Sequence, residues 1–287
     1  MPRAIGDGFF VSELRILYRA ARKGLEDFAP DQSAAIAYYA LFSIFPLLLG
    51  VIAAAGYFFE SEIAQAKLFA VLNDILPGSA DLVKRNLESV VRVRGTLGII
   101  GLIGLFWSGS AAFGAITRAV NRALGVKRPH TYLLARLRYV LMALAVSILL
   151  VLSVAVTAAV EILANLDLEI LATLGIEPGL ISQLGAWLTG LLFAFLTYAL
   201  IYKVTPYIGV RWRQVLPGAV LGAIIFELGK RGFLFYLGRL ADFEAVYGSL
   251  SSIIVLLAWL YLSAFVLIFG AEYNIVRTRT GSADGGS

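Results

Sequence analysis

The sequence predicts an all-α polytopic membrane protein: six transmembrane helices, with an amphipathic helical hairpin between the first and the second. Three observations carry that prediction. Of the 287 residues, 60% are hydrophobic and only 15% charged, where a soluble globular chain carries about 25% charged residues. Apolar runs long enough to cross a bilayer, roughly 20 residues each, recur at 34–59, 96–117, 139–161, 180–203, 215–237 and 249–273. The lysines and arginines alternate in density between the connections, sixteen on one side against six on the other, with Lys230 and Arg231 inside a run. Positive-inside bias therefore places both termini in the cytoplasm.

The elements follow in order. Residues 1–30 form a cytoplasmic amphipathic arm: "FFVSELRILYRAARKG" sets Phe10, Leu14, Leu17 and Ala21 on one helical face and Arg15, Arg19, Arg22 and Lys23 elsewhere, the pattern of a helix lying in the interface. Asp31, after Pro30, is the expected N-cap of the first span. That span carries Tyr38, Tyr39, Ser43 and Pro46; the proline frees a carbonyl and predicts a kink beside hydroxyl groups. Residues 60–95 are too polar to cross. Ile63, Leu68, Val71, Leu72 and Ile75 stripe one helix, "LPGSA" breaks it, and Leu82, Val83, Leu87, Val90 and Val91 stripe a second, so a hairpin is expected on the periplasmic face, over a cavity mouth or as a plain flap. Gly104, Ser108 and Ala112 in the second span, and Gly218 and Gly222 in the fifth, are small residues spaced by four, which permits close helix contact. Residues 31–274 form the membrane domain, and 275–287, ending "GSADGGS", read as a disordered cytoplasmic tail.

The fifth span poses the chemical question. In "IIFELGKRGFLFYLGRL", Glu227, Lys230 and Arg231 fall inside an apolar run. Spacings of three and four residues put both cations on the face of Glu227, close enough to pair. An unpaired charge at mid-membrane costs about 2.5 to 3.5 kcal/mol, so this face should turn into the bundle and line a polar site. In the alternative, the apolar run ends near Gly229 and the two long basic stems snorkel to the outer head groups. Arg211 and Arg213, before the span, are placed to attract an anionic head group at the inner face. Tyr39 and Ser43 complete the candidate substrate site, together with Glu272 near the inner end of span six, where an interfacial arginine is the expected partner.

The sequence excludes more chemistry than it suggests. There is no cysteine and only one histidine, His130, so thiolate chemistry is absent and no second imidazole exists to share a metal. No G-x-S-x-G or H-E-x-x-H occurs, and "GAIIFELGK" has the wrong glycine spacing for a phosphate-binding loop. No enzyme activity, cofactor or metal is expected. The net charge of +5 is accounted for by topology and anionic membrane lipids, with no nucleic-acid partner.

Several stretches together resemble the YihY/BrkB family of bacterial inner-membrane proteins: "AYYALFSIFPLLL", "GLFWSGSAAFGAITRAVNRALGV", "VRWRQVLPGAVLGAIIFELGKRGFLFYL", "VYGSLSSIIVLLAWLYLS" and "LIFGAEYN". They are collinear and cover most of residues 30–275. The resemblance implies six membrane helices and a role in the cell envelope. It implies no assigned roles for the family-pattern residues, Glu227, Lys230, Arg211 and Glu272 among them. The family's older label as a tRNA-processing ribonuclease finds no acid-base or metal constellation here. The leading expectation is a protein that transports or holds an anionic amphiphile, such as a lipid or lipid precursor. Its rivals are a carrier coupled to ions through Glu227 and a scaffold that binds membrane partners through the hairpin.

Overall fold

A computed structural model describes residues 5–58, 97–126, 132–164, 178–239 and 247–284, and these residues are helical apart from short connections. The expected hairpin at 60–95 and His130 lie outside the described residues. The helices are α1 (Ile5–Glu26), α2 (Ala29–Phe58), α3 (Leu97–Ala123), α4 (Tyr132–Ala164), α5 (Pro178–Val204), α6 (Trp212–Arg239) and α7 (Ser251–Asp284), the last preceded by a single 3-10 turn, Gly248–Leu250. Among the described residues, Leu134–Val160, Gln183–Val204 and Ser251–Thr280 are long and apolar enough to cross a membrane.

Packing runs from α7 outward. It lies against α2 and α6, and its C-terminal part receives α1; α2 packs on α3, α4 on α5, and α5 on α6. Buried alanines supply much of the contact, among them Ala115, Ala119 and Ala123 on α3, Ala199 on α5, Ala219 and Ala223 on α6, and Ala264 and Ala271 on α7. Small side chains are what a bundle in lipid needs, because tails compete with leucine on equal terms and only close backbone approach adds contact. The opposite pattern appears on the outside: Leu134, Leu137, Leu141, Leu144 and Ile148 form an exposed row along α4, a surface that acyl chains cover at no hydrophobic cost.

The small-residue spacing of span five is used at its first position. Gly218 faces Gly270 of α7 so closely that a Cβ there would overlap the Gly270 carbonyl oxygen and the Asn274 side chain. Asn274 exploits that proximity: its amide oxygen accepts from the Gly218 N–H at 2.6 Å and its nitrogen donates to the Val215 carbonyl at 3.1 Å.

Three local expectations need correction. The helix after the arm starts at Ala29, so Asp31 sits in its first turn rather than capping it. The reversal is made instead by Phe28, a left-handed residue with φ 59°, and by Gln32, whose amide donates to the Asp27 carbonyl at 2.6 Å. In the arm, Leu14 is exposed and the docked residues are Ile16 and Ala20, which pack with Leu17 on Tyr273 and Val276. The segment from 275 is not a loose tail as far as Asp284: α7 continues through it, because Ile275 and Val276 are buried and Arg277 pairs with Glu13 of α1 at 2.9 Å.

Candidate functional site

Glu227 faces the bundle because α6 carries Ala219, Ala223 and Glu227 at four-residue spacing, and this small-residue stripe is the one that packs inward. Glu227 is 3% exposed. Lys230, one turn later, closes on both carboxylate oxygens, at 3.3 Å and 3.2 Å. Opposite lies Gly190 of α5, where a Cβ would stand 2.9 Å from the Glu227 carboxylate. Glycine is what admits the ion pair between two helices. Gly190→Ala is accordingly expected to push the carboxylate aside and cost about 1 kcal/mol, since a flexible side chain yields more cheaply than backbone; the thermal midpoint of the purified protein in detergent measures it.

Arg231 corrects the expectation that both cations pair with Glu227. It is exposed, and its guanidinium lies over the Trp187 ring, 5.6 Å from the centroid, a cation–π platform supplied by α5. One buried neutralised pair and one further cation thus stand side by side.

These residues line a cavity of about 840 Å³ among α2 to α7. Its walls are mainly apolar, with Leu149 and Leu150 from α4, Phe193 from α5 and Leu260 from α7. Hydroxyl and amide groups punctuate them: Ser153 and Thr157 on α4, and Gln183 and Thr197 on α5. Tyr198, also on the wall, stacks on Tyr202 with ring centroids 5.9 Å apart. Tyr202 is fixed in turn by donating to the Leu267 carbonyl at 2.7 Å. Sequence reasoning missed the contribution of α4 and α5; the available signal was the i, i+4 pair Ser153 and Thr157 in an otherwise aliphatic run.

The other candidates lie elsewhere. Ser43 is buried but donates to its own helix, at the Tyr39 carbonyl, 2.7 Å away, and Tyr39 is 36% exposed. Among the described residues, the wall positions contributed by α2 are Ile36 and Ala40 instead. Arg211 and Arg213 are exposed at the start of α6, where the Arg211 N–H donates to the Gln214 side chain at 2.8 Å. Roughly 22 Å of helix separates Trp212 from Glu227 at 1.5 Å per residue.

Glu272 belongs to a separate cluster, and its partner is a lysine from the arm rather than an arginine. It is fully buried. Lys23 Nζ donates to Glu272 Oε2 at 2.8 Å, to the Ala123 carbonyl at 2.9 Å, and to Asp27. Burial works against the Lys23 charge, yet the hydrogen bonds and charges of Asp27 and Glu272 outweigh it and hold its pKa above the ordinary 10.5. The ammonium occupies a cage of three oxygens and ties α1, α3 and α7 together.

The chain matches the family described as virulence factor BrkB over residues 20–286. It is 26% identical over 246 residues to the ribonuclease-like protein YfkH of Bacillus subtilis, covering 85% of this chain and 88% of that one. It is 28% identical over 266 residues to a UPF0761 membrane protein of Alkalilimnicola ehrlichii, covering 88% and 56%. A relative of the same name in Xanthomonas campestris is 29% identical over 255 residues, covering 88% and 58%. The chain thus spans little more than half the length of the latter two relatives. No solved structure is significantly similar to it. Both the buried polar cluster on α6 and Glu272 on α7 fall within the matched region, and the chain belongs to the virulence factor BrkB family of membrane proteins.

Proposed function

We propose that this protein crosses the bacterial inner membrane six times, with both termini cytoplasmic, and that its cavity transports or holds an anionic amphiphile without catalysing a reaction on it. The observation that carries the reading is the cavity's chemistry. It is apolar over most of its wall, and its lining includes one acid, Glu227, and two bases, Lys230 and Arg231. Among the described lining residues, Glu227 and Lys230 pair with each other, and the guanidinium of Arg231 adds a further positive charge at one place on a greasy surface. An acyl chain fits the wall, and a phosphate or carboxylate head fits the guanidinium, which offers paired donors in a fixed plane. The hydroxyls of Ser153 and Thr157 add uncharged hydrogen-bonding capacity for a polar head. At the other end of α6, the exposed Arg211 and Arg213 serve as surface attractors for anionic head groups.

Arg231→Ala leaves the Glu227–Lys230 pair intact and removes the cation that no described residue neutralises. It is expected to lower occupancy by a phosphorus-containing lipid about tenfold, the loss of one charge-assisted contact, in native mass spectra of the protein purified in mild detergent. Equal occupancy in wild type and variant would overturn the reading.

A further inference from the structure

The arm helix α1 carries three parallel stripes offset by one residue each. Leu14, Tyr18, Ala21 and Leu25 form the first, Arg15, Arg19, Arg22 and Glu26 the second, and Ile16, Ala20, Lys23 and Asp27 the third. Neighbouring residues on a helix are about 100° apart, so the first stripe points nearly opposite to the third. The third is the docked one: Ile16 and Ala20 pack on Tyr273 and Val276, and Lys23 is held by Glu272. The first is exposed, with Leu14 at 55%, Tyr18 at 68% and Leu25 at 62%. Phe28 extends it past the helix end, with the Arg122 guanidinium 5.4 Å from its ring centroid. The second is also exposed, and among the described residues only Arg22 within it is neutralised along the helix, by Glu26 at 2.9 Å.

The depth of the arm decides what covers the outward stripe. Leu17, Leu221 and Phe269 pack around the docked contact, and Phe269 belongs to the segment Ser251–Thr280, which is apolar enough to cross the membrane. The arm therefore lies alongside a membrane-crossing helix, where its far side meets bilayer. We infer that α1 is an interfacial anchor: the Leu14–Tyr18–Leu25 stripe enters the acyl boundary, and Arg15 and Arg19 bind the phosphates of anionic lipids in the surrounding leaflet. An apolar stripe bordered by arginines is complementary to such a surface in both respects. This anchor is independent of the cavity ligand.

The chain has no cysteine, so Tyr18→Cys and Leu25→Cys each accept a single environment-sensitive fluorophore. The labelled full-length protein is reconstituted in vesicles of phosphatidylcholine and phosphatidylglycerol, with a nitroxide quencher on one lipid or the other and iodide as the aqueous quencher. Both probes are expected to be quenched by lipid-borne nitroxide, more by phosphatidylglycerol than by phosphatidylcholine, and shielded from iodide. Arg15→Gln and Arg19→Gln should each reduce the phosphatidylglycerol preference about fivefold. Iodide quenching equal to that of free dye would overturn the anchor. So would shielding from both quenchers, or a disulfide joining two unlabelled copies of the Tyr18→Cys variant, since either means a protein covers the stripe. Lipid quenching without preference would overturn the anionic assignment. None of these outcomes bears on the lipid read through Arg231 by mass spectrometry.

Discussion

Lys23→Ala is expected to destabilise the protein by about 3 to 5 kcal/mol, the usual consequence of stranding one member of a buried ion pair. Glu272 is fully buried and its Oε1 finds no hydrogen-bond donor among the described residues, so the Lys23 contact at Oε2 carries the compensation for that charge. The same ammonium satisfies the Ala123 carbonyl, one of the acceptors that the end of α3 leaves without a helical partner among the described residues. Removing the lysine strands a carboxylate and a carbonyl together and loosens the Lys23 end of the arm from α7. Thermal unfolding in detergent measures the loss, and limited proteolysis at the arginines of α1 reports release of the arm. The double variant Lys23→Ala/Glu272→Gln should recover much of the stability, because the neutral amide removes the stranded charge; this non-additivity identifies the pair as the cause. Lys23→Ala with an unchanged midpoint would refute the latch. The sign of any pH effect follows from the raised Lys23 pKa. A base whose folded value exceeds its unfolded one contributes in full below the unfolded value and loses that contribution only as pH rises through the folded one. With both at or above the ordinary 10.5, lysine titration leaves the latch intact through the neutral range.

What the sequence disclosed depended on distance along the chain. The apolar runs at 180–203 and 215–237 lie within the helices Pro178–Val204 and Trp212–Arg239, because run length and helix length answer to the same bilayer thickness. The pairing of Glu227 with Lys230 was legible for the same reason: a three-residue spacing is a geometric statement about one helix. That spacing could not say that Arg231, four residues on, would prefer an aromatic ring on α5. Nor could it reveal the Lys23–Glu272 contact, across a separation of 249 residues. An acid at the inner end of a span predicts a cation nearby, but choosing lysine over arginine requires the cage that α3 and α1 complete. Asn121 is a further case. It donates to the Thr205 carbonyl at 2.9 Å and accepts from the Tyr207 N–H at 2.8 Å, clamping the turn between α5 and α6 onto α3. In sequence it is one polar residue in "RAVNRAL", indistinguishable from a solvated helix position.

Gly218→Ala should be the most damaging single-methyl addition among the described glycines. The methyl would meet the Gly270 carbonyl, which is backbone and cannot rotate away, so α6 and α7 must separate. Separation also breaks the two Asn274 bonds to the Gly218 N–H and the Val215 carbonyl, and in lipid those amide atoms find no water in exchange. Overpacking alone costs about 1 to 3 kcal/mol, and the lost hydrogen bonds add about 1 kcal/mol each. Two glycines of the same helix calibrate the result. At Gly222 the added methyl would lie 3.1 Å from the Tyr198 ring, a side chain with some freedom to shift, so Gly222→Ala should fall between. At Gly229 nothing lies within 4 Å, and alanine there should stabilise by up to about 1 kcal/mol through helix propensity. The order of thermal midpoints is therefore Gly229→Ala, wild type, Gly222→Ala, Gly218→Ala, from highest to lowest. A Gly218→Ala protein that melts with wild type would mean that α6 and α7 do not touch backbone to backbone, and the inward placement of Glu227, further along the same helix, would lose its structural basis.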